Sequence, residues 1–357
     1  MNRWLKLREH SHRGLRIFLQ EARTGRMSSL TVSTTRKSFV LGVLLVYGAL
    51  VLAPLRATAA ENTFERTLSV AGPVRLEVSS ASGNVEIRGS GDGKVHIFGK
   101  VTAGWSLWGS TEKNVQEVVT DPPIEQHESV IRVGKSSSWI KNISIDYTIE
   151  VPHDTEIDAG VASGGVTVDN VRGPVKASSA SGYLHVYRVE RDATISAASG
   201  SIDASGLGGI LRVSSASGDV VLANVKGDLK VTAASGSIRV SQPGDRVEAS
   251  TASGSIEILG VKNDLKVHAI SGSIMVTGDP SANRLWELKT VSGSVDLRVP
   301  PGASFLFIAE ATTGDIRTNI PVILEEQDKH SLRAHVGSAG GRIEVRTISG
   351  GINVRGS

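Results

Sequence analysis

The chain has 357 residues, no cysteine, 39 glycines and 15 aromatic residues, and its formal net charge is +3. Without cysteine it cannot hold disulfides, a thiol nucleophile, an iron–sulfur cluster or cysteine-ligated zinc. Its mean hydropathy of -0.02 excludes a polytopic membrane protein. Glycine at this level without a Gly-X-Y period excludes collagen and is unusual for a globular enzyme.

The positive charge is concentrated at the N terminus. Residues 1–59 carry a net charge of +8, and the other residues carry −5. The basic pair at 36–37 precedes an apolar run, Phe39–Leu55, and an Ala-Thr-Ala site ends at Ala59. A basic flank, a short apolar run and such a site are typical of a secretory signal peptide.

We therefore predict cleavage near Ala59 and an exported protein of the periplasm, outer cell surface or extracellular space. A retained anchor is the alternative, but Pro54 leaves about 15 residues before it, and about 20 are needed to span a bilayer. Met27 is an alternative start, because residues 1–26 are long for the basic region of a signal peptide.

A Ser-Gly pair recurs every 18 residues, which predicts a repeat fold. The glycines are Gly164, Gly182, Gly200, Gly218, Gly236, Gly254 and Gly272, followed at 21-residue intervals by Gly293 and Gly314. Positions +2, +4, +7, +11, +13 and +16 from each glycine are mostly apolar; the first coil has Val166, Val168, Val171, Val175, Ala177 and Ala180.

Two nine-residue halves of this kind indicate strand, turn, strand, turn, because the apolar residues alternate within each half. We expect all six positions to point inward, and the Gly, Asn and Asp residues at +9 to supply turns with positive φ. A three-sided hexapeptide helix is rejected because position +10 is mostly polar.

The pattern predicts an all-β, right-handed, two-sided β-solenoid with an antiparallel hairpin insertion near its N-terminal end. The predicted organisation is a signal peptide at 1–59, first coil or coils at 60–90, an inserted cap at 91–158 and the repeat domain at 159–357. A second hairpin or loop is expected at 320–336. The last coil is expected to end the stack at Ile352–Val354 with only a short polar tail.

The tandem Ser-Gly-x-(Ile/Val)-x-(Val/Ile) motif, preceded by Ile149-Glu-Val151-Pro152, resembles a bacterial family of exported domains of unknown function labelled "putative adhesin". The resemblance covers about residues 64–357. It implies a right-handed β-solenoid in cell-envelope or secreted proteins, and it supplies no catalytic residues.

Motifs for chemistry are absent from the sequence. It contains no G-x-S-x-G elbow, no Walker A sequence and no G-x-G-x-x-G. The histidines lack metal-ligand spacing, and no aspartate ladder of a calcium-bound β-roll is present. We therefore predict no enzymatic activity, no cofactor and no metal.

The expected function is a non-catalytic binding or scaffold role in the envelope, with a protein or glycan as partner and no nucleic acid. Membrane contact would come only through an uncleaved signal segment. Candidate binding residues are Trp105, Trp108 and Trp139 of the cap, which could form an aromatic surface or a core. A self-associating structural or stress-related protein, a homo-oligomer joined through solenoid ends, is the alternative, and a polysaccharide-active enzyme is a remote one.

Overall fold

The computed structural model describes residues 62–103, 111–134, 143–281, 283–338 and 340–357, all within the unit Thr58–Ser357. These residues form 29 strands and one helix. Two facing sheets contain 14 and 15 strands, here called the first and second sheet. Most neighbours are parallel and one coil apart: Val175 lies opposite Ala193, and Leu184 opposite Ile202. The predicted two-sided solenoid with 18-residue coils is confirmed.

The N-terminal part contains the outermost strand at one end of each sheet, and the helix. Its elements are β1 (Thr63–Ser69), β2 (Arg75–Ser82), β3 (Val85–Ser90), β4 (Lys94–Ala103), α1 (Thr111–Thr120), β5 (Ile124–His127), β6 (Val130–Val133), β7 (Ile143–Pro152), β8 (Glu156–Ser163) and β9 (Val166–Val171). The coil β2–β3 is covered on one side by β6 and β7, and β8–β9 return on its other side. Antiparallel pairs β1–β4, β4–β7 and β5–β6 complete this cap.

Helix α1 was not predicted. It packs Val115 and Val118, both buried, into the core on one side, as expected for residues three apart on a helix. Helix α1 has ten residues. Among the described residues, no helix is long and apolar enough to cross a membrane.

The regular part consists of six nearly identical coils. Its strands are β10 (Val175–Ser181), β11 (Leu184–Val189), β12 (Ala193–Ser199), β13 (Ile202–Leu207), β14 (Leu211–Ser217), β15 (Val220–Val225), β16 (Leu229–Ser235), β17 (Ile238–Pro243), β18 (Val247–Ser253), β19 (Ile256–Val261), β20 (Leu265–Ser271) and β21 (Ile274–Gly278). Odd-numbered strands belong to the first sheet and even-numbered strands to the second.

The C-terminal strands do not follow one another in space. They are β22 (Leu285–Ser292), β23 (Val295–Val299), β24 (Phe305–Thr313), β25 (Ile316–Thr318), β26 (Ile323–Gln327), β27 (Ser331–Val336), β28 (Gly341–Ser349) and β29 (Ile352–Gly356). The last coil, β28–β29, lies between β22–β23 and β24–β25, and the hairpin β26–β27 covers the second sheet's end. The expectation that Ile352–Val354 ends the stack is therefore wrong.

The two halves of a coil are not equivalent, because a left-handed residue interrupts only the first. Position +6 has positive φ, as at Asn170 (φ 59), Gly206 (φ 70) and Asn224 (φ 53). This residue shifts the inward–outward alternation, so that +7 is buried after +4. The second half keeps strict alternation, so +15 is buried and +16 is exposed. The inward assignment of +16 and the positive φ expected at +9 are therefore wrong.

The recurring Ser-Gly pair forms the corner after the second-sheet strand. Gly182 has φ 143, and its N–H donates to the carbonyl of Ser199 in the next coil at 3.1 Å. A Cβ on Gly182 would lie 2.1 Å from the carbonyl oxygen of Gly164. Glycine is needed at this corner for both reasons, the backbone conformation and the close approach of successive coils.

The interior is a set of continuous columns. Val213, Val231 and Ala249 follow one another in register and are almost completely buried. Position +15 is filled by Ala, Ser or Thr; Ser179 Oγ donates to the corner carbonyl of Gly164 at 3.2 Å, whereas Oγ1 of Thr251 has no hydrogen-bond partner among the described residues. One larger 21-residue coil admits Trp286, which is fully buried and donates from Nε1 to the carbonyl of Asn263 at 2.8 Å.

Candidate functional site: a groove along the second sheet

A long groove of about 1650 Å³ follows the outward face of the second sheet near its corner. We call it the lateral groove and define it by the residues four, three and two positions before each corner glycine, which are +14, +15 and +16 in the 18-residue coils and keep these labels in the other coils. Eleven strands contribute, from β2 to β28 and β24. Ten spacings of about 4.8 Å make it roughly 50 Å long.

The floor of the lateral groove contains two rows of small side chains. The +14 row is Ser79, Gly160, Ser178, Ser196, Ser214, Thr232, Ser250, His268, Lys289, Arg346 and Glu310. The +16 row is Ala81, Ala162, Ala180, Ala198, Ala216, Ala234, Ala252, Ile270, Val291, Ile348 and Thr312. Over seven coils the +14 row is Ser, Thr or Gly and the +16 row is Ala. The floor therefore has a polar stripe of hydroxyl groups parallel to an apolar stripe of methyl groups.

Contacts between coils order these small side chains. Positions +16 and +17 are both exposed before the corner glycine, so the inward–outward alternation of the strand ends at +15. Neighbouring hydroxyls bond to each other, as from Ser214 Oγ to Ser196 Oγ at 3.0 Å and from Ser250 Oγ to Thr232 Oγ1 at 3.2 Å. The floor is therefore ordered by bonds between coils.

One end of the lateral groove has larger side chains. Ile270, Val291 and Ile348 are 58%, 44% and 54% exposed, which leaves an apolar surface beside the charged row. Arg346 pairs with Glu310 at 3.2 Å. Burial lowers the pKa of His268 more strongly than the nearby Glu287 carboxylate raises it.

Ion pairs follow the open side of the lateral groove at position +12. Lys176 lies 3.1 Å from Asp158, and Lys230 lies 3.3 Å from Glu248, each pair joining adjacent coils. These side chains lie at the surface, exposed or half-buried, and such pairs contribute at most about 1 kcal/mol each. They leave this side of the groove close to electrically neutral.

The predicted site residues belong to segments that the structure does not describe. Trp105, Trp108 and Trp139, and the proposed signal segment, lie outside the described residues. The Ser and Ala rows are visible in the sequence as 18-residue repeats at +14 and +16, but the +16 row was assigned to the interior. The part of the chain that the structure describes contains no group of three or more His, Asp or Glu residues that could hold a metal ion.

The architecture defines a β-solenoid with a lateral groove, and comparison with known proteins agrees on the class. The sequence profile of the Toastrack DUF4097 family matches residues 73–263 and 211–355, together most of the chain. The chain belongs to this family, which confirms the resemblance inferred from the Ser-Gly repeats. A search of curated proteins found no match.

Several solved structures match this chain over most of their length, at low sequence identity and low TM-score. A putative cell adhesion protein from Clostridium sporogenes shares 12% identity, with 83% of this chain and 100% of that chain covered and a TM-score of 0.21. A putative adhesin from Bacteroides fragilis shares 14%, with 83% and 97% covered and a TM-score of 0.30. A putative lipid binding protein from Parabacteroides distasonis shares 10%, with 82% and 96% covered and a TM-score of 0.36.

Proposed function

We propose that this chain is an exported, non-catalytic binding or scaffold protein of the cell envelope, and that the lateral groove holds one extended partner, a protein segment or a glycan. The observation that carries the proposal is the groove's shape. It is long and narrow, and over seven coils only small side chains form the outward rows of its floor, so one extended chain open to solvent fits along it.

The side chains of the floor support binding rather than catalysis. A serine nucleophile needs a base within hydrogen-bond reach. In the described floor the serine hydroxyls contact other hydroxyls and backbone carbonyls, and Nε2 of His268 has no hydrogen-bond partner. Rows of hydroxyl and methyl groups instead match a ligand that alternates polar and apolar surface.

Export is supported by the N-terminal sequence. The basic flank, the run Phe39–Leu55 and the site at Ala59 carry this part of the proposal, with the periplasm, outer surface or exterior as destination. Trp105, Trp108 and Trp139 remain proposed as a second contact surface in the segment 91–158.

Self-association is the second candidate role. Ile323 and Leu324 are 67% and 53% exposed on β26, the edge strand of the second sheet. An apolar edge can pair with another chain. However, the register shift between Leu324 and Glu326 and the acidic residues that follow reduce this tendency, since irregular and charged edges resist pairing.

Filling the lateral groove tests the binding proposal. We expect Ala216→Trp to fold normally, because Ala216 is exposed, and to weaken retention of the full chain on the producing cell's envelope fraction by about tenfold or more. The matched control is Ala223→Trp, the same substitution on the first sheet's outward face. Unchanged retention of Ala216→Trp, or equal losses for both variants, would contradict the proposal.

A further inference from the structure

Three consecutive outward side chains on the first sheet form an aromatic surface. Tyr183 immediately precedes β11, and His185 and Tyr187 lie on that strand. We call these three residues the tyrosine strip. The ring centroids of Tyr183 and His185 are 4.7 Å apart, and those of His185 and Tyr187 are 5.9 Å apart. The rings are tilted by 32° and 39° to each other, so they form one contiguous surface.

Neighbouring coils hold these rings in place. The Tyr183 ring lies over Gly165 of the preceding coil, where an added Cβ would be 2.1 Å from Cζ of the ring. On the other side, the Tyr187 hydroxyl donates to Oδ2 of Asp203 at 3.1 Å. Burial, and then the Asp203 carboxylate, raise the pKa of Tyr187, so its hydroxyl stays protonated as a donor. The strip is therefore ordered before any ligand arrives.

The charges around the strip are unbalanced. On the outward side of β9, β11 and β13, Asp169 is paired with Arg188. Asp203 lies opposite His185 in register and has no cationic partner among the described residues. One uncompensated carboxylate therefore lies beside three aromatic rings.

We propose that the tyrosine strip and Asp203 bind a basic side chain, Lys or Arg, of a partner protein. Aromatic faces attract ammonium and guanidinium groups, and a guanidinium can stack on a ring while it donates to a carboxylate. Asp203 supplies the carboxylate, and Tyr187 orients it. The site is on the sheet opposite the lateral groove and does not depend on what the groove holds.

The full chain labelled with 3-fluorotyrosine contains only four tyrosines, which simplifies the test by fluorine NMR. The probes are N-acetylargininamide and N-acetyllysinamide, with N-acetylnorleucinamide as the uncharged analogue. We expect both cations to shift the Tyr183 and Tyr187 signals with saturation, and the signal of buried Tyr147 to stay unchanged. The uncharged analogue should have little effect.

Two substitutions distinguish this site from general attraction to an acidic protein. Asp203→Asn should weaken cation binding several-fold, and Tyr183→Ala should weaken it by about two- to fivefold, the size of an exposed cation–π contact. Asp245→Asn removes the same charge at an exposed corner of another coil and should have no effect. Equal shifts with the uncharged analogue, or equal losses for Asp203→Asn and Asp245→Asn, would overturn the proposal.

Discussion

Val231→Asp is expected to destabilise the solenoid by about 4 kcal/mol. Val231 is fully buried and lies between Val213 and Ala249 in one column, so the new carboxyl would have no partner and no water. In a repeat fold each coil contacts only its neighbours, and the damage would also interrupt the stack near its centre. Circular dichroism during thermal unfolding should show a melting temperature lower by roughly 10 °C.

The matched control is Val221→Asp, because Val221 is 38% exposed on the outward face of the first sheet. A loss of about 1 kcal/mol or less is expected there, since the new carboxylate would stay in solvent and lie between Asp203 and Arg239 of the adjacent coils, whose charges are opposite. Similar losses at both positions would show that the inward and outward assignments are wrong.

Gly218→Ala is expected to cost about 3 kcal/mol. Gly218 has φ 128, and an added Cβ would lie 2.1 Å from the carbonyl oxygen of Gly200. The new Cβ and this oxygen would have to separate, which would require adjacent coils to move apart. Chemical denaturation of the full chain would measure the loss.

Gly206→Asn is the control for Gly218→Ala. Gly206 also has positive φ (φ 70), but its nearest heavy atom to an added Cβ is 3.6 Å away. Asn170 and Asn224 occupy the same position in other coils. We therefore expect a change within about 1 kcal/mol, because asparagine tolerates this conformation. A larger loss at Gly206 than at Gly218 would refute the role given to the corner glycines.

The coil period and most interior columns could be predicted because they depend only on spacing. Apolar residues at +2, +4, +11 and +13 repeat every 18 residues, and strand alternation places them inside. Position +16 was wrongly placed inside because the two halves of a coil were treated as equivalent. The positive φ at +6 occurs only in the first half, and it is not visible in the sequence because Asn, Gly, Gln and Arg all occur there. Ala180 and its equivalents are small enough for an interior corner or for an exposed groove, so the residue type did not show whether +16 points inward or outward.

The order of coils in space could not be predicted, because each coil has the same pattern. Nothing in the sequence of Ile352–Gly356 distinguishes a coil inserted between two others from a terminal coil. Its position between β23 and β25 depends on packing between coils. The lateral groove depends on small side chains at +14 and +16 in many successive coils at once. The tyrosine strip likewise depends on contacts between coils, namely those of Gly165 and Asp203.

The proposal that the lateral groove holds an envelope partner can be tested most directly by cysteine footprinting, since the chain has no native cysteine. Single cysteines at Ala216→Cys, in the groove, and Ala223→Cys, on the opposite sheet, would react with a maleimide in the presence and absence of the envelope fraction. We predict that the fraction slows the reaction at position 216 and leaves position 223 unchanged. Equal rates at position 216 with and without the fraction would contradict the proposed function.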